Sequence, residues 1–597
     1  MLWHTKNPQS AYNLDKQNHF YYFCCMDSWI KLIINHLQKT WVIWLLISGL
    51  TILIYSETLS YSMLYNFDDD AYFSDNRINE LNGPHVEAYF ADYFLGMYQP
   101  LPVLSFAVVN QLFPGSVQAQ RVLNLSLHIL NILLFLLVAK KLTGNMYVGA
   151  FTALFFAIHP MHVESVSWIS TRSNLMFSAF YLGSVIAFLN FNGNRNALKW
   201  AILLSCVTFS LFSKVTAVTF PGILLLIHWY QGGKFKTSTL FQFLPLFILS
   251  GVFMWIGIQA STAFGHISEM GQSYTFLQRF ILFFHALWLY LYKFFIPVNQ
   301  SVIYLFPFLE NGGLPLAYYV TAAMALVICG IVFYTGLKLR NQQAGKAVIF
   351  GFLFFLITIS VAMPLKWSRT IIIAERYTYL PYIGLSMCVL LLLFGLTAQH
   401  KKQRLILTSL LLLIAFLFSA QSFRRNKVWE SPITLFTDVV DKNIGKAETS
   451  MAFYNRGNEY LRLKNASLAI SDYSSAIKLY PSYHEAYYNR GLVYYLTGDN
   501  ATAIEDFTRT IAIKNNFVDA YINRGAAYRN TGFFELALTD LDKAIMLRPS
   551  ELAYLSRGIL YYSNFNQPDK ACSDWTLAAN MGSVQAKGLL KQYCFGQ

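Results

Sequence analysis

Three stretches of this 597-residue chain gather side chains that could do chemistry. The first is Asn66-Phe67-Asp68-Asp69-Asp70. Three adjacent carboxylates repel one another, so at least one holds a proton more tightly than usual and is suited to general-base work, Asp68 first and Asp69 next. A hydrated acidic loop or a calcium-binding cluster is the alternative for such a triplet. The second stretch is His159-Pro160-Met161-His162-Val163-Glu164, followed by Ser170-Thr171-Arg172-Ser173-Asn174-Leu175. Two imidazoles and a carboxylate could ligate a metal, but the His-Pro break means they need not share a helix face. Hydrogen bonding around a ligand is the favoured role for His159, His162 and Glu164, and no metal is expected. The third stretch, Ala374-Glu375-Arg376-Tyr377-Thr378-Tyr379-Leu380-Pro381, adds a carboxylate and a cation, and Ser213-Lys214 adds another cation. Arg172, Lys214 and Arg376 stand at the ends of apolar stretches, where a long cation either snorkels to the interface or meets an anionic ligand.

The elements that must position these groups are membrane spans. Hydrophobic residues make up 55% of the chain and charged ones 13%, which excludes a soluble globular or a disordered protein. Residues 1–423 carry 39 charges and residues 424–597 carry 37, so a membrane body is followed by a water-soluble module. Apolar stretches long enough to span lie at 40–55, 122–139, 146–158, 175–191, 198–212, 215–230, 240–258, 316–337, 347–364, 379–396 and 405–423. With residues 1–39 as a cytoplasmic tail, the five inner loops hold twelve Lys/Arg, Arg195 and Arg340 among them, and no acid. All twelve acids between Ser28 and Phe423, including Glu269 and Glu310, then fall outside, as the positive-inside rule requires. The segment 277–296 is also apolar and is expected to be re-entrant or to lie in the interface. An odd span count delivers the soluble module to the extracytoplasmic side. The net charge of +14 sits mostly in the membrane part, so no nucleic-acid partner is expected. The seven cysteines, Cys24 and Cys25 among them, form no metal or disulfide framework by spacing.

The soluble module repeats itself. Asn455-Arg456-Gly457, Asn489-Arg490-Gly491 and Asn523-Arg524-Gly525 recur every 34 residues, and Ser556-Arg557-Gly558 follows one residue early. An aromatic stands four positions before each glycine, a Tyr three after it, and an Ala at 469, 503, 537 and 571. This is the signature of the tetratricopeptide repeat, a pair of helices packed closely through the Gly and Ala positions. It predicts four repeats at 450–483, 484–517, 518–550 and 551–584 with a terminal cap, joined to the last span by a linker and half repeat at 424–449. Asn455, Asn489 and Asn523 recur on one face of the first helices, facing the concave groove. They are candidates for holding an acceptor peptide; the alternative is that Asn-Arg-Gly is only repeat consensus.

A carboxylate motif in the first outer loop, 56–120, of a polytopic protein resembles the C-type glycosyltransferases (GT-C). His-Pro-x-His-x-Glu followed by Arg-x-Asn-Leu resembles, more narrowly, the transmembrane and tetratricopeptide repeat-containing O-mannosyltransferases and their bacterial relatives. Tyr98-Gln99-Pro100-Leu101, Ser213-Lys214 and the Glu375-Arg376 stretch fit that family in order, while Val215 and the third aspartate depart from it. The resemblance implies an all-α fold, a GT-C-type membrane helix bundle at 40–423 followed by an α-solenoid. It implies an inverting transfer of a hexose, typically mannose, from a polyprenyl-phosphate carrier to Ser/Thr hydroxyls of extracytoplasmic proteins, without a cofactor. The donor phosphate would be met by Lys214, Arg172 and Arg376, and His159, His162, Glu164 and Glu375 would support the site. A bacterial inner membrane, with site and repeats on the periplasmic side, is the expected location. A glycolipid or surface polysaccharide as acceptor, and a non-enzymatic membrane scaffold or receptor, are the competing readings.

Overall fold

The computed structural model describes residues 39–65, 67–191, 197–263, 274–307, 309, 312–339, 342–364, 371–397, 399–442 and 449–594. Nearly all of the expected tail, together with Arg195, Glu269, Glu310, Arg340, Cys24, Cys25 and part of the expected linker, lies outside them. The chain divides into two compact units, one of residues up to Met63 with Asp68–Glu430, the other of Leu64–Phe67 with Ser431–Gln597.

The first unit is a helix bundle. Each of the eleven expected stretches is helical, from Thr40–Tyr55 and Val117–Thr143 through Arg172–Leu189, Ala197–Ser213 and Thr237–Ala263 to Tyr382–Leu396 and Lys401–Asn426. Among the described residues, seven helices are long and apolar enough to cross a membrane. An eighth is added if Met146–Ile158 and Pro160–Ser167, bent by 54° at the His159-Pro160 junction, count as one span. The remaining expected spans are shorter apolar helices; at 1.5 Å per residue the 17 residues of Ala197–Ser213 reach only about 25 Å. Phe276–Phe295 is amphipathic: Leu282, Ala286, Tyr290 and Phe294 are buried, whereas Phe276, Leu277, Phe280 and Phe295 are exposed.

Without a hydrophobic drive between helices in lipid, small residues allow the closest approaches. Gly351 and Gly384 face each other so closely that a Cβ on either would lie 2.4 Å from the other's carbonyl oxygen. That contact joins the Gln343–Ile359 and Tyr382–Leu396 helices, which flank the Glu375 loop. A two-stranded antiparallel ribbon, β1 (Tyr304–Leu305) and β2 (Ile371–Ile373), leads into that loop.

The second unit is built of helix pairs: Ser450–Arg462 with Ala466–Leu479, His484–Leu496 with Asn500–Ile513, Val518–Asn530 with Phe534–Leu547, and Glu551–Ser563 with Pro568–Asn580. The helix Val584–Tyr593 caps them. Why glycine recurs is plain from the packing: a Cβ at Gly457, Gly491 or Gly558 would lie 2.6–3.0 Å from the ring of Tyr473, Phe507 or Trp575. The arginine of each repeat is clamped by an aspartate on the second helix. Arg456–Asp472, Arg490–Asp506, Arg524–Asp540 and Arg557–Asp574 are all two-pronged, with N–O distances of 2.7–2.8 Å. The third prong reaches back one repeat, to Ser474 for Arg490, Thr508 for Arg524 and Asp542 for Arg557. An aromatic ring, Phe453, Tyr487, Tyr521 or Tyr554, covers each guanidinium at 5.4–5.8 Å. Contrary to the expectation from spacing, one disulfide is present. Cys572 and Cys594, with Cα atoms 5.9 Å apart, form a disulfide that clips the cap helix to the fourth repeat. Two cysteines 22 residues apart carry no spacing signal, which is why the sequence did not reveal the pair.

Asp506→Ala leaves Arg490 half-buried beside an empty site, and should lower the stability of the array by about 2 kcal/mol. Urea-dependent protection of the array from proteolysis in the full chain measures this. A change below about 0.5 kcal/mol would mean that the clamp behaves as an ordinary surface ion pair.

Candidate functional site

In the first unit a cavity of about 220 Å³ gathers groups far apart in sequence: Asp68, Lys214 and Arg376, with Asn174, Ser170, Tyr377 and Trp168. Its apolar side comes from Met254, Gly257 and Ile258 of the Thr237–Ala263 helix and from Val361 and Met363. Each charged group is delivered there by its own local device.

Asp68 precedes the short helix Asp69–Ser74 and has a left-handed backbone, φ 66°. Aspartate tolerates this conformation better than most residues. Its neighbour Asp69 is fully buried and is the anchor rather than a lining group. Its Oδ1 accepts from the Ser170 amide at 3.1 Å and from the Ser170 hydroxyl. Tyr72 wedges between Phe94 and Phe106, with ring centroids at 4.5 and 4.2 Å, and accepts from Gln99 Nε2 at 2.6 Å. Arg121 ties the same loop down by donating to the carbonyls of Ser62 and Ser167 at 2.7 and 2.6 Å.

Arg376 is held by Glu164, which is wholly buried. One carboxylate oxygen pairs with Arg376 Nη1 at 2.5 Å and the other accepts from the Arg376 amide at 2.8 Å. The guanidinium lies over Trp168 at 5.4 Å and Tyr377 at 5.1 Å. Burial opposes its charge, but Glu164, Tyr377 and, more weakly, Asp68 outweigh this and hold it above its ordinary value. Lys214 Nζ donates to Asn174 Oδ1 and lies 5.4 Å from the Tyr377 ring. Asn174 donates in turn to the Arg376 carbonyl at 3.3 Å, so the two cations share one scaffold.

Besides Asp69, five more residues singled out in the membrane part stand away from the cavity. Arg172 is fully buried: Nε donates to Asn124 Oδ1 at 2.8 Å, Nη2 to the Gln120 carbonyl at 3.0 Å, and its charge lies 3.8 Å over the Phe106 ring. It is a packing cation, so of the three cations expected there only Lys214 and Arg376 face the cavity among the described residues. His159 donates from Nε2 to the Phe294 carbonyl at 3.1 Å and accepts from the Met161 amide; His162 donates from Nδ1 to the Phe156 carbonyl at 2.8 Å. The histidines pin the bend at Pro160, and among the described residues no three His, Cys, Asp or Glu side chains could hold a metal ion. Glu164 acts through Arg376, and Glu375 lies behind it, accepting from Tyr304 at 2.9 Å and Gln300 at 3.1 Å beside Arg425 at 3.5 Å. In the second unit, Asn489 donates to Tyr454 and Asn458, and Asn523 to Tyr488, so their amide groups tie neighbouring repeats together. Asn455 is half-buried on its helix. Asn174, Trp168, Tyr377 and Ser170 were missed as site residues; each lies inside or beside a motif already singled out, and only the fold shows which neighbour faces the cavity.

Burial pushes the Glu375 carboxyl up from 4.5 to about 7, against the pull of Arg425. A raised acid is tolerated best when neutral, so this group favours the fold fully below about 4.5 and loses that contribution as pH rises through 7. Glu375→Gln stays neutral and should gain on the native protein between those values, by up to about 3 kcal/mol. Thermal unfolding in detergent from pH 4.5 to 8 tests it, and a pH-independent difference would contradict it.

Residues 454–516 and 518–551 match sequence families described as tetratricopeptide repeat. Over 398 residues the chain is 24% identical to a protein O-mannosyl-transferase of Caenorhabditis elegans, which covers 65% of this chain and 54% of that protein. It is 24% identical over 417 residues to protein O-mannosyl-transferase TMTC3 of Homo sapiens, with 64% and 45% covered. To protein O-mannosyl-transferase TMTC4 of Mus musculus it is 23% identical over 480 residues, with 69% and 63% covered. The chain thus spans about half the length of the curated relatives it matches. Among solved structures it is similar to MamA, at 24% identity and a TM-score of 0.24 over 26% of this chain and 89% of that one. The Arabidopsis OM64 TPR domain is 26% identical with a TM-score of 0.19, over 19% and 97%. Over about two thirds of its length the chain is thus similar to protein O-mannosyl-transferases, and its carboxy-terminal part carries tetratricopeptide repeats behind a bundle of apolar helices.

Proposed function

We propose that the protein is an inverting membrane glycosyltransferase that moves a hexose, mannose by its relatives' names, from a polyprenyl-phosphate carrier to Ser/Thr hydroxyls of extracytoplasmic proteins. The observation that carries this reading is the convergence of one carboxylate, Asp68, and two cations, Lys214 and Arg376, on a single cavity with one apolar wall. Asp68 takes the proton from the acceptor hydroxyl as its oxygen attacks the anomeric carbon. The bond from that carbon to the phosphate oxygen breaks, the carrier phosphate leaves with the electron pair, and Lys214 and Arg376 stabilise its growing charge. A single displacement of this kind inverts the anomeric centre. Neither a cofactor nor a metal is invoked. The repeat array binds the acceptor protein, with Asn455 and the side-chain carbonyls of Asn489 and Asn523 offered along one face.

Asp68→Asn should lower transfer at least 10²-fold with donor binding kept, because the swap is nearly isosteric and removes only the base. Lys214→Ala should impair both transfer and slow hydrolysis of the lipid-linked sugar by water, since it weakens donor binding and leaving-group stabilisation alike. Product formation from a radiolabelled lipid-linked hexose reads both. Full activity of Asp68→Asn would remove the carboxylate from the mechanism.

The site and the array are read as periplasmic, on a bacterial inner membrane. Two independent features support the extracytoplasmic side: the absence of acids from the expected inner loops, and the Cys572–Cys594 disulfide, which suits an oxidising compartment. Protease added to intact spheroplasts should remove the array. Cleavage only after lysis would reverse the assignment.

A further inference from the structure

A groove lies at the opposite end of the first two long helices. The start of Thr40–Tyr55 and the end of Val117–Thr143 leave an open groove between them, lined by Lys39, Trp41, Trp44, Leu133, Leu137 and Lys140. Since Thr40–Tyr55 has 16 residues, about 24 Å of helix separates this groove from the loop that carries Asp68. We propose that the groove is a binding site for an anionic phospholipid, phosphate against the two lysines and one acyl chain along the leucines; this rests on the membrane reading of the helices and not on the transferase mechanism.

Four observations on this groove converge. First, among the described residues its charge is of one sign: Lys39 and Lys140 line it, Lys141 follows in the last turn, the first turn of Thr40–Tyr55 holds no acid, and no described lining residue is an Asp or Glu. The amino-terminal end of that helix adds its own positive field. Second, Lys140 is posed across the groove: its Nζ donates to Thr40 Oγ1 at 2.9 Å, and an ammonium has three protons to give. Third, two tryptophans stand where an interfacial belt would be. Trp41 is 57% exposed, and Trp44 donates its indole N–H to the Ile129 carbonyl at 3.2 Å. Fourth, the groove continues from the lysines into Leu133 and Leu137, so a charged head and an apolar chain are matched in order. Free phosphate would use only the first half of this surface. A zwitterionic headgroup would bring its own cation to the lysines.

Native mass spectrometry of the full chain, titrated with phosphatidylglycerol or phosphatidylcholine of the same acyl length, tests the assignment. The native protein should hold one phosphatidylglycerol on the order of tenfold more tightly than phosphatidylcholine, as two interfacial lysines allow. Lys39→Gln/Lys140→Gln should abolish the preference, while Lys401→Gln/Lys402→Gln, the same charge loss at another helix start, should keep it. Lys39→Gln alone, which leaves the Lys140–Thr40 bond in place, should lose roughly fivefold and serves if the double variant unfolds early. Equal retention of both lipids by the native protein, or equal loss in both double variants, would overturn the site in favour of diffuse surface attraction. Displacement by millimolar inorganic phosphate would overturn the lipid assignment in favour of an anion pocket.

Discussion

The buried ion pair between Glu164 and Arg376 is the constraint on which the candidate site depends. A carboxylate with no exposed surface must be matched by a cation and by hydrogen bonds, because removing one partner leaves an uncompensated charge. Glu164 receives both from one residue 212 positions later, the guanidinium and the backbone amide of Arg376. A single side-chain contact could slide; the added backbone bond fixes the Glu375–Thr378 turn itself. Such pairs contribute little net stability, and their gain is in arrangement. Here the arrangement brings Arg376 between Trp168 and Tyr377, facing the cavity that holds Asp68 and Lys214.

The same accounting explains why so many charged residues near the cavity are not in it. Polar groups buried in the membrane part have no water to satisfy them, so the fold must supply partners from within. Arg121 and Arg172 serve backbone carbonyls and Asn124, Asp69 serves Ser170, and Glu375 is served by Tyr304, Gln300 and Arg425. Each links segments that would otherwise be free to move past one another. The chemistry-bearing groups are thus surrounded by a shell of like residues that hold the loops, and sequence alone does not separate the shell from the centre.

That difference sets what was legible. Apolar length and the 34-residue period report on single helices and on local pairs, so the eleven helical stretches and the repeat array were readable directly. Which charge faces a cavity depends on contacts between loops tens to hundreds of residues apart. Arg172 and Lys214 look alike in sequence, both beside a Ser at the end of an apolar stretch, yet one stacks on Phe106 and the other on Tyr377. In the repeats the asparagine row drew attention, while the aspartates at 472, 506, 540 and 574 that clamp the arginines went unremarked. Their 34-residue recurrence was as visible as that of Asn-Arg-Gly, but only the folded pair shows why it is kept.

The apolar wall of the cavity bears on how the proposed lipid-linked donor reaches a charged site. Met254, Gly257 and Ile258 line the cavity from one helix, Thr237–Ala263, whose Val252 and Trp255 are exposed on its outside. That helix approaches Val215 so closely that a Cβ at Gly257 would lie 2.8 Å from its side chain. Among the described residues, the Thr237–Ala263 helix thus lines the Lys214 region with one face and turns an exposed apolar face outward. A phosphate attached to a long apolar chain can sit at the cations while its chain passes beside that helix into lipid, and neither part enters an environment that suits the other. The close Gly257–Val215 contact keeps the wall thin at the level of the cations, where a bulkier residue would push the helix away from Lys214.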